Sequence, residues 1–271
     1  TGCWSQRQTV SSMTLSPGDL PGMVPMTTNY TYAKADVKWL DDYSPPSACP
    51  DTKACFKQFI GFEEVIADWK SGGDTVKQTE TRFHDTEGQP KIDQKKGKIL
   101  DSWVKNGSGV TLTHTHTDYG VYEGPPEDPW PEGVQFVYPS QVIEKTYCGQ
   151  SFVCQSKKTK YYYNQKWQNC GGDGPQYGNL THVEQYDSES ALDPYRTKLT
   201  GYCPNATAKI VDKPAFENLY SGDIDPESSN NPDPNQLLSS TWYIYGDDPD
   251  NPSWNQTAGS KGELRGVRRV A

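Results

Sequence analysis

The chain has 271 residues, of which 33% are hydrophobic, and its mean hydropathy is −0.86. No apolar run approaches the about 20 residues that cross a bilayer, so the sequence argues against a helical membrane span. The net charge of −9 argues against nucleic acid as a partner, because binding phosphates needs an excess of Lys and Arg on one face.

The N-terminal residues 1–32 are rich in Ser, Thr, Met and Pro. The segment PGDLPGMVP at 17–25 cannot be helical, because Pro and Gly recur every few residues. We therefore expect an extended N-terminal arm over 1–32.

Residues 33–71 have the most helix-like pattern of the chain. Apolar side chains recur at spacings of three and four, which predicts a helix near 53–71, with a shorter one possible at 33–41: Phe56, Phe59, Ile60, Val65, Ile66 and Trp69. The segment SGGD at 71–74 would end the longer helix, because glycine is free to take positive φ.

From residue 75 onward the pattern is typical of strands. KILDSWVKNGSGVTLTHTHT predicts a hairpin, because Asn-Gly and the following Gly suit a tight turn. Further strands are expected at 134–139, 141–148, 158–168, 182–187, 197–203 and 240–246. The fold class is therefore mainly β (α+β): an antiparallel β-sandwich-like core over 33–246, with one helix near the N-terminus and a second extended arm over 247–271.

Five of the asparagines lie in Asn-x-Ser/Thr sequons, whereas chance predicts roughly two. The predicted glycosylation sites are Asn29, Asn106, Asn179, Asn205 and Asn255. Such sites are used in secreted proteins, so their excess indicates an extracellular or cell-surface location with N-linked glycans.

The seven cysteines point to the same compartment, because disulfides persist outside reducing environments. Two pairs share the same short spacing, and a third pair would close a longer loop, leaving Cys3 unpaired: Cys49 with Cys55, Cys148 with Cys154, and Cys170 with Cys203. We therefore expect a disulfide-bonded protein.

Two histidines, His114 and His116, lie one residue apart and would share one face of a strand. Two such imidazoles can bind one metal ion, which gives the hypothesis of a secreted metal-dependent hydrolase. The alternative is a Thr/His ladder on a half-exposed sheet. The spacing to Glu123 is too long for the cupin-like pattern, which favours the ladder.

The stretch KKTKYYYNQKWQ places Tyr161, Tyr163 and Trp167 on one face of a strand. An exposed row of this kind could stack on sugar rings, which predicts a carbohydrate-binding or adhesin module as an alternative function. The same row could instead be the core face of a sheet in a protein with few aliphatic residues.

No catalytic residue is predicted, because the sequence lacks the nucleophile elbow, the phosphate-binding loop, the dinucleotide fingerprint and the HExxH motif. No cofactor is expected either, although calcium remains possible in the acidic segments 223–227 and 247–251. The function that the sequence favours is an extracellular structural glycoprotein. It would be a subunit of a surface appendage, filament or coat that self-associates into a homopolymer through its terminal arms.

Overall fold

The structure is a computed structural model that describes residues 9–15, 24–39, 57–84, 95, 97–122, 136–149, 152–163, 178–202, 209, 212–224, 234–245 and 262–270. The described residues are almost entirely β-strand, apart from turns and a short 3₁₀ turn at Pro234–Gln236. The strands are β1 (Ser12–Leu15), β2 (Met26–Trp39), β3 (Lys57–Ser71), β4 (Asp74–Phe83), β5 (Ile99–Asn106), β6 (Thr111–Tyr122), β7 (Phe136–Tyr147), β8 (Val153–Tyr163), β9 (Leu180–Tyr186), β10 (Arg196–Tyr202), β11 (Pro214–Ser221), β12 (Leu237–Tyr245) and β13 (Leu264–Val270).

The order of the strands in the sheet is their order along the chain, from β1 to β13. The strand pairs whose registers are described run antiparallel. The prediction of a mainly β, antiparallel fold is therefore confirmed. The strands form one open sheet, however, rather than the two sheets of the predicted sandwich. A sandwich and a single open sheet both consist of short strands joined by turns, so the sequence pattern does not distinguish one from the other.

The predicted helix near 53–71 is wrong. Residues 57–71 form β3, which is hydrogen bonded to β2 on one side and to β4 on the other. Of the shorter predicted helix at 33–41, residues 33–39 are strand instead, because β2 continues to Trp39, and residues 40–41 lie outside the described residues. Both strands are rich in β-branched and aromatic residues, and pairing with two neighbours outweighs a local spacing that resembles a helix.

The segment SGGD is a hairpin turn and not a helix end. Ser71 and Asp74 face each other at the ends of β3 and β4, with Gly72 and Gly73 between them. Both glycines have positive φ, 60° and 99°, as two-residue hairpin turns with the twist of the strands require. This turn sets the register of β3 against β4.

The described parts of both predicted arms belong to the sheet. Residues 12–15 form β1, and residues 26–32 lie within β2, which pairs with β3. At the other end of the chain, residues 264–270 form β13, which pairs with β12. The strand residues of both segments are therefore extended within the sheet.

The chain divides into two compact units, residues 1–118 with 144–155 and residues 119–143 with 156–271, here called unit 1 and unit 2. The core of unit 2 lies along β10 and β11, where Leu199 is fully buried with Tyr220 and Ile224. Phe216 packs against Trp242 of β12 and lies so close to Gly201 that any Cβ there would collide with its ring. A glycine is therefore required at this position of β10.

Unit 1 has far less buried apolar surface. Its buried residues, among those the structure describes, are Thr28, Ala67 and Glu80. Glu80 is paired with Lys105 at 2.6 Å and with Arg82 at 2.9 Å. Hydrogen bonding between strands and polar cross-strand contacts therefore contribute much of the stabilisation of this unit. In the described part of the chain, no helix is long and apolar enough to cross a membrane.

Candidate assembly edges and the histidine cluster

The first strand, β1, ends the strand order and has β2 as its neighbour. Its four residues are uncharged and exposed, and Met13 and Leu15 are 57% and 71% exposed. An edge strand presents unpaired backbone N–H and C=O groups, and natural edges are usually protected by charge, proline or a bulge. β1 has neither a charge nor a proline, and among the described strands it pairs with β2 alone.

The outward backbone groups of β1 follow from its register. The Tyr30 amide donates to the Ser11 carbonyl at 2.8 Å, one position beyond the pair of Ser12 and Asn29 that begins the register. Antiparallel pairs alternate between hydrogen-bonded and non-hydrogen-bonded positions. Ser12 and Thr14 therefore direct their backbone N–H and C=O groups away from β2. The Thr14 and Thr27 hydroxyls, 3.2 Å apart, fit a close non-hydrogen-bonded pair.

The last strand, β13, ends the strand order on the other side and pairs with β12. Its sequence LRGVRRV carries three arginines, and nearly all of its residues are exposed. Arg265 forms a 3.2 Å ion pair with Glu263 just before the strand. β13 is thus a basic edge in an acidic chain.

The predicted hairpin around NGSG is confirmed by the antiparallel pairing of β5 with β6. The side chain of Asn106 organises the turn, because its Oδ1 accepts hydrogen bonds from the amides of Ser108 at 3.0 Å and Val110 at 2.9 Å. This turn brings both histidines of β6 beside β5.

His114 and His116 both bind one carboxylate of the neighbouring strand. His114 Nε2 lies 2.7 Å and His116 Nδ1 lies 2.8 Å from the same oxygen, Asp101 Oδ1. An ionised carboxylate can only accept, so both ring nitrogens donate. His116 Nε2 lies 3.3 Å from Asp118, so a protonated His116 would have a carboxylate at each nitrogen.

These contacts shift two pKa values in opposite directions. Burial by itself would raise the pKa of Asp101, but the hydrogen bonds from His114 and His116 outweigh it, and the pKa lies below its ordinary value of 3.8. Burial by itself would lower the pKa of His116, but Asp101 and Asp118 raise it above 6.5. The cluster therefore favours a charged pair at mildly acidic pH.

The histidines continue a polar row across four strands. The registers place Glu64 of β3 opposite Arg82 of β4, Arg82 opposite Asp101, and Asp101 opposite His116. The charge alternates along this row when His116 is protonated. Trp103 lies beside it, with the Arg82 guanidinium 4.7 Å from its ring centroid and the His114 ring stacked at 4.7 Å. The row links β3, β4, β5 and β6.

The predicted metal ligands His114 and His116 thus share a face, as expected from the strand period. The part of the chain that the structure describes contains no group of three His, Cys, Asp or Glu residues arranged to hold a metal ion. The geometry corresponds to a hydrogen-bonded ladder on a half-buried sheet. Of the acidic segments considered for calcium, Asp223 and Ile224 are described, and 225–227 and 247–251 lie outside the described residues.

The predicted tyrosine row is only partly described. Tyr161 and Tyr163 lie in β8 and are half-buried, whereas Trp167 lies outside the described residues. The Tyr163 ring packs against Tyr138 at 4.6 Å and against Phe136 at 5.5 Å. Burial raises the pKa of Tyr163, which fits a packed position. Tyr163 therefore contributes to an aromatic cluster within unit 2.

A buried carboxylate in unit 2 gave no signal in the sequence. Glu184 of β9 accepts hydrogen bonds from the hydroxyls of Tyr162 at 2.8 Å and Tyr186 at 2.5 Å. Burial first, and then the Glu184 carboxylate, raise the pKa of both tyrosines. His182 lies 3.6 Å from the other carboxylate oxygen. The alternation of Glu184 with Tyr186 in the sequence does not reveal the partner strand β8.

The structure contains the predicted Cys148–Cys154 disulfide, which joins the residue that follows β7 to β8 with a Cα–Cα distance of 5.6 Å. The other predicted disulfide residues lie outside the described residues: Cys49, Cys55, Cys170 and Cys203, as does Cys3. Among the sequons, Asn106 lies at the hairpin turn, Asn29 near the start of β2 and Asn179 just before β9. Asn205 and Asn255 are outside the described residues.

Together these features define a β-meander protein with two exposed edge strands and a polar ladder.

No family model matches the sequence, and no curated protein matches it significantly. The crystal structure of TcdB2-TccC3-Cdc42 is similar over 90% of this chain and 15% of the matched chain, with 11% identity and a TM-score of 0.50. That of TcdB2-TccC3 without its hypervariable C-terminal region matches with the same identity and coverage and a TM-score of 0.48. The chain thus spans about 15% of the length of these solved chains, and the first likeness shows a shared fold alone.

Proposed function

We propose that this chain is an extracellular structural glycoprotein, a subunit of a surface appendage, filament or coat that assembles through its terminal strands. The observation that carries the proposal is the exposure of the two strands at the ends of the described strand order. Among the described strands, β1 and β13 end this order, and both are exposed. Strand addition at such edges is a common way to join chains through backbone hydrogen bonds.

The small apolar core of unit 1 supports the same proposal. Few of its described side chains are buried, whereas apolar residues near its first edge are exposed, including Val10, Met13 and Leu15. A sheet of this kind gains stability when another chain covers its edge and pairs its free backbone groups. An assembled state would therefore be more stable than the isolated subunit.

Removing β1 is expected to abolish assembly. A chain lacking residues 1–24 retains β2 and its pairing with β3, because β2 begins at Met26. It should remain monomeric in sedimentation velocity and show no polymers by electron microscopy, with the circular dichroism of a folded sheet. The control is a chain lacking residues 1–8, which keeps β1 and should assemble. Normal assembly without residues 1–24 would contradict the proposal.

Glycosylation at Asn106 is a second expected result, because Asn106 lies at a hairpin turn. Asn29 is expected to stay unmodified, because it lies in β2, which pairs with β1 on one side and with β3 on the other. Ser108→Ala removes the sequon but keeps the backbone amide that donates to Asn106. In protein secreted by eukaryotic cells, this variant should lose the mass of one glycan, measured before and after enzymatic deglycosylation. Thr31→Val is the matched change at Asn29 and should leave the mass of the glycans unchanged. An unchanged glycan mass in Ser108→Ala would show that Asn106 is not modified.

A further inference from the structure

The turn between β5 and β6 holds the side chain of Asn106 in one position. Its Oδ1 accepts hydrogen bonds from the backbone amides of Ser108 at 3.0 Å and Val110 at 2.9 Å. The main chain is held as well, because the Asn106 amide donates to the Val110 carbonyl at 2.9 Å and its carbonyl accepts from the Gly109 amide at 3.0 Å. A side-chain oxygen bound to the amide two residues ahead folds back over the amide in between, which belongs to Gly107.

The Gly107 amide has no competing contact. In the part of the chain that the structure describes, no hydrogen bond engages this amide, and Gly107 is exposed. Only glycine fits at this position, because any Cβ would collide with the carbonyl oxygen of Thr75. The nitrogen beside the Asn106 side chain is therefore not shielded by a side chain of its own residue.

The amides of Ser108 and Val110 are aimed at an oxygen on which charge can develop. When a peptide nitrogen attacks Cγ of the asparagine before it, negative charge forms on Oδ1. Backbone N–H groups that already point at such an oxygen stabilise the transition state, as an oxyanion hole does. A nucleophile held next to its target also needs less ordering before it reacts.

We infer that Asn106 is a site of spontaneous modification, at which the turn promotes attack of the Gly107 nitrogen on Asn106 Cγ. The new N–Cγ bond forms as this nitrogen loses its proton, the Cγ–Nδ2 bond breaks, and ammonia leaves with that proton. Water then opens the cyclic succinimide at either carbonyl, which gives aspartate or isoaspartate. The net reaction consumes water and releases ammonia, and it needs no oxidant, reductant or cofactor. It concerns chains in which Asn106 carries no glycan, so it does not depend on the proposed function.

Asn29 and Asn218 lack this arrangement and serve as internal controls. The amide that follows Asn29 belongs to Tyr30 and donates to the Ser11 carbonyl at 2.8 Å, so attack by this nitrogen would break a contact between β1 and β2. Asn218 Oδ1 accepts a hydrogen bond from the Ser240 hydroxyl of the neighbouring strand at 2.7 Å, and Asn218 itself lies within β11. Both side chains should convert more slowly in the folded chain than in the unfolded chain.

The test compares the full chain in its folded state with the same chain reduced and unfolded in urea, at one mildly alkaline pH. The protein is produced in a host that adds no N-linked glycans, and peptide mapping by mass spectrometry follows aspartate and isoaspartate at each asparagine over time. Asn106 should convert faster when folded, on the order of tenfold, which is less than a donor contributes in a buried active site because this turn is exposed. A folded rate at Asn106 that is equal to or below the unfolded rate would overturn the inference.

Gly109→Ala tests whether the turn itself promotes the reaction. Gly109 has a φ of 79°, which strains any other residue, and an added Cβ would meet nothing within 4 Å. The change therefore loosens the turn without a collision, and the folded rate at Asn106 should fall toward the unfolded rate. An unchanged or higher rate would show that the turn does not promote the attack, and the inference would fail.

Ser108→Ala is the matched control, because it keeps the backbone amide that donates to Asn106 Oδ1 and removes only the hydroxyl. Its folded rate at Asn106 should equal that of the unaltered chain. A large loss of conversion in Ser108→Ala would assign the effect to the hydroxyl and would contradict the role inferred for the two amides.

Discussion

Replacing Leu199 with alanine is expected to lower the free energy of unfolding of unit 2 by about 2–5 kcal/mol. Leu199 is 0% exposed and packs with Tyr220 and Ile224, so the substitution removes buried methyl groups and leaves a cavity. Urea unfolding followed by hydrogen exchange of β10 and β11 would measure the loss within unit 2 itself.

The matched control for this prediction is Leu192→Ala. Leu192 is in the same unit and is 90% exposed, so its removal should change the free energy of unfolding by less than about 0.5 kcal/mol. Equal effects of the two substitutions would show that Leu199 is not part of the core.

Replacing Asp101 with asparagine is expected to remove the part of the pH dependence of the stability of unit 1 that comes from the pairing of Asp101 with His116. In the unaltered chain, the contribution of His116 is complete below pH 6.5 and is lost as the pH rises through its raised pKa. The contribution of Asp101 is present above pH 3.8 and is lost as the pH falls through its lowered pKa. The two contributions are therefore present together between pH 3.8 and pH 6.5, where unit 1 should be most stable.

At pH 5.5, Asp101→Asn should lower the free energy of unfolding of unit 1 by about 1.5–3 kcal/mol, the usual range for a hydrogen bond to a charged group. The measurements are urea unfolding across pH and the NMR titration of His116, whose pKa should fall in the variant. Asp118→Asn is the control, because Asp118 is 49% exposed and lies farther from His116, so its effect should be smaller. A His116 titration that is unchanged by Asp101→Asn would refute the proposed pairing.

The hairpin of β5 and β6 illustrates what local sequence can predict. Asn106 and the glycines after it specify a turn within a few residues, and the period of two then places His114 and His116 on one face. Their partner Asp101 could not be identified in the same way. It lies on another strand, and its position opposite His116 depends on the register of the pair, which shifts by a bulge between Val104 and Lys105.

The wrong helix near 53–71 has a similar cause. The apolar residues of β3 fall at spacings that suit a helix, but the strand is fixed by pairing with β2 and β4 and by the Gly72-Gly73 turn. A Gly-Gly pair between two apolar runs is itself a hairpin signal, and the same pair suits a helix end when the preceding run is helical. Long-range pairing decided the conformation here, as it commonly does against weak local preference.

The sequence by itself determined the antiparallel β class, the NGSG turn and the shared face of the two histidines, because turn chemistry and strand alternation act over a few residues. Only the tertiary structure placed Asp101 beside both of those histidines, brought the hydroxyls of Tyr162 and Tyr186 to the buried Glu184 and made β1 and β13 the ends of the described strand order. Each of these depends on which strands pair and in what register, and that choice is made by hydrogen bonds and packing between residues far apart in the chain.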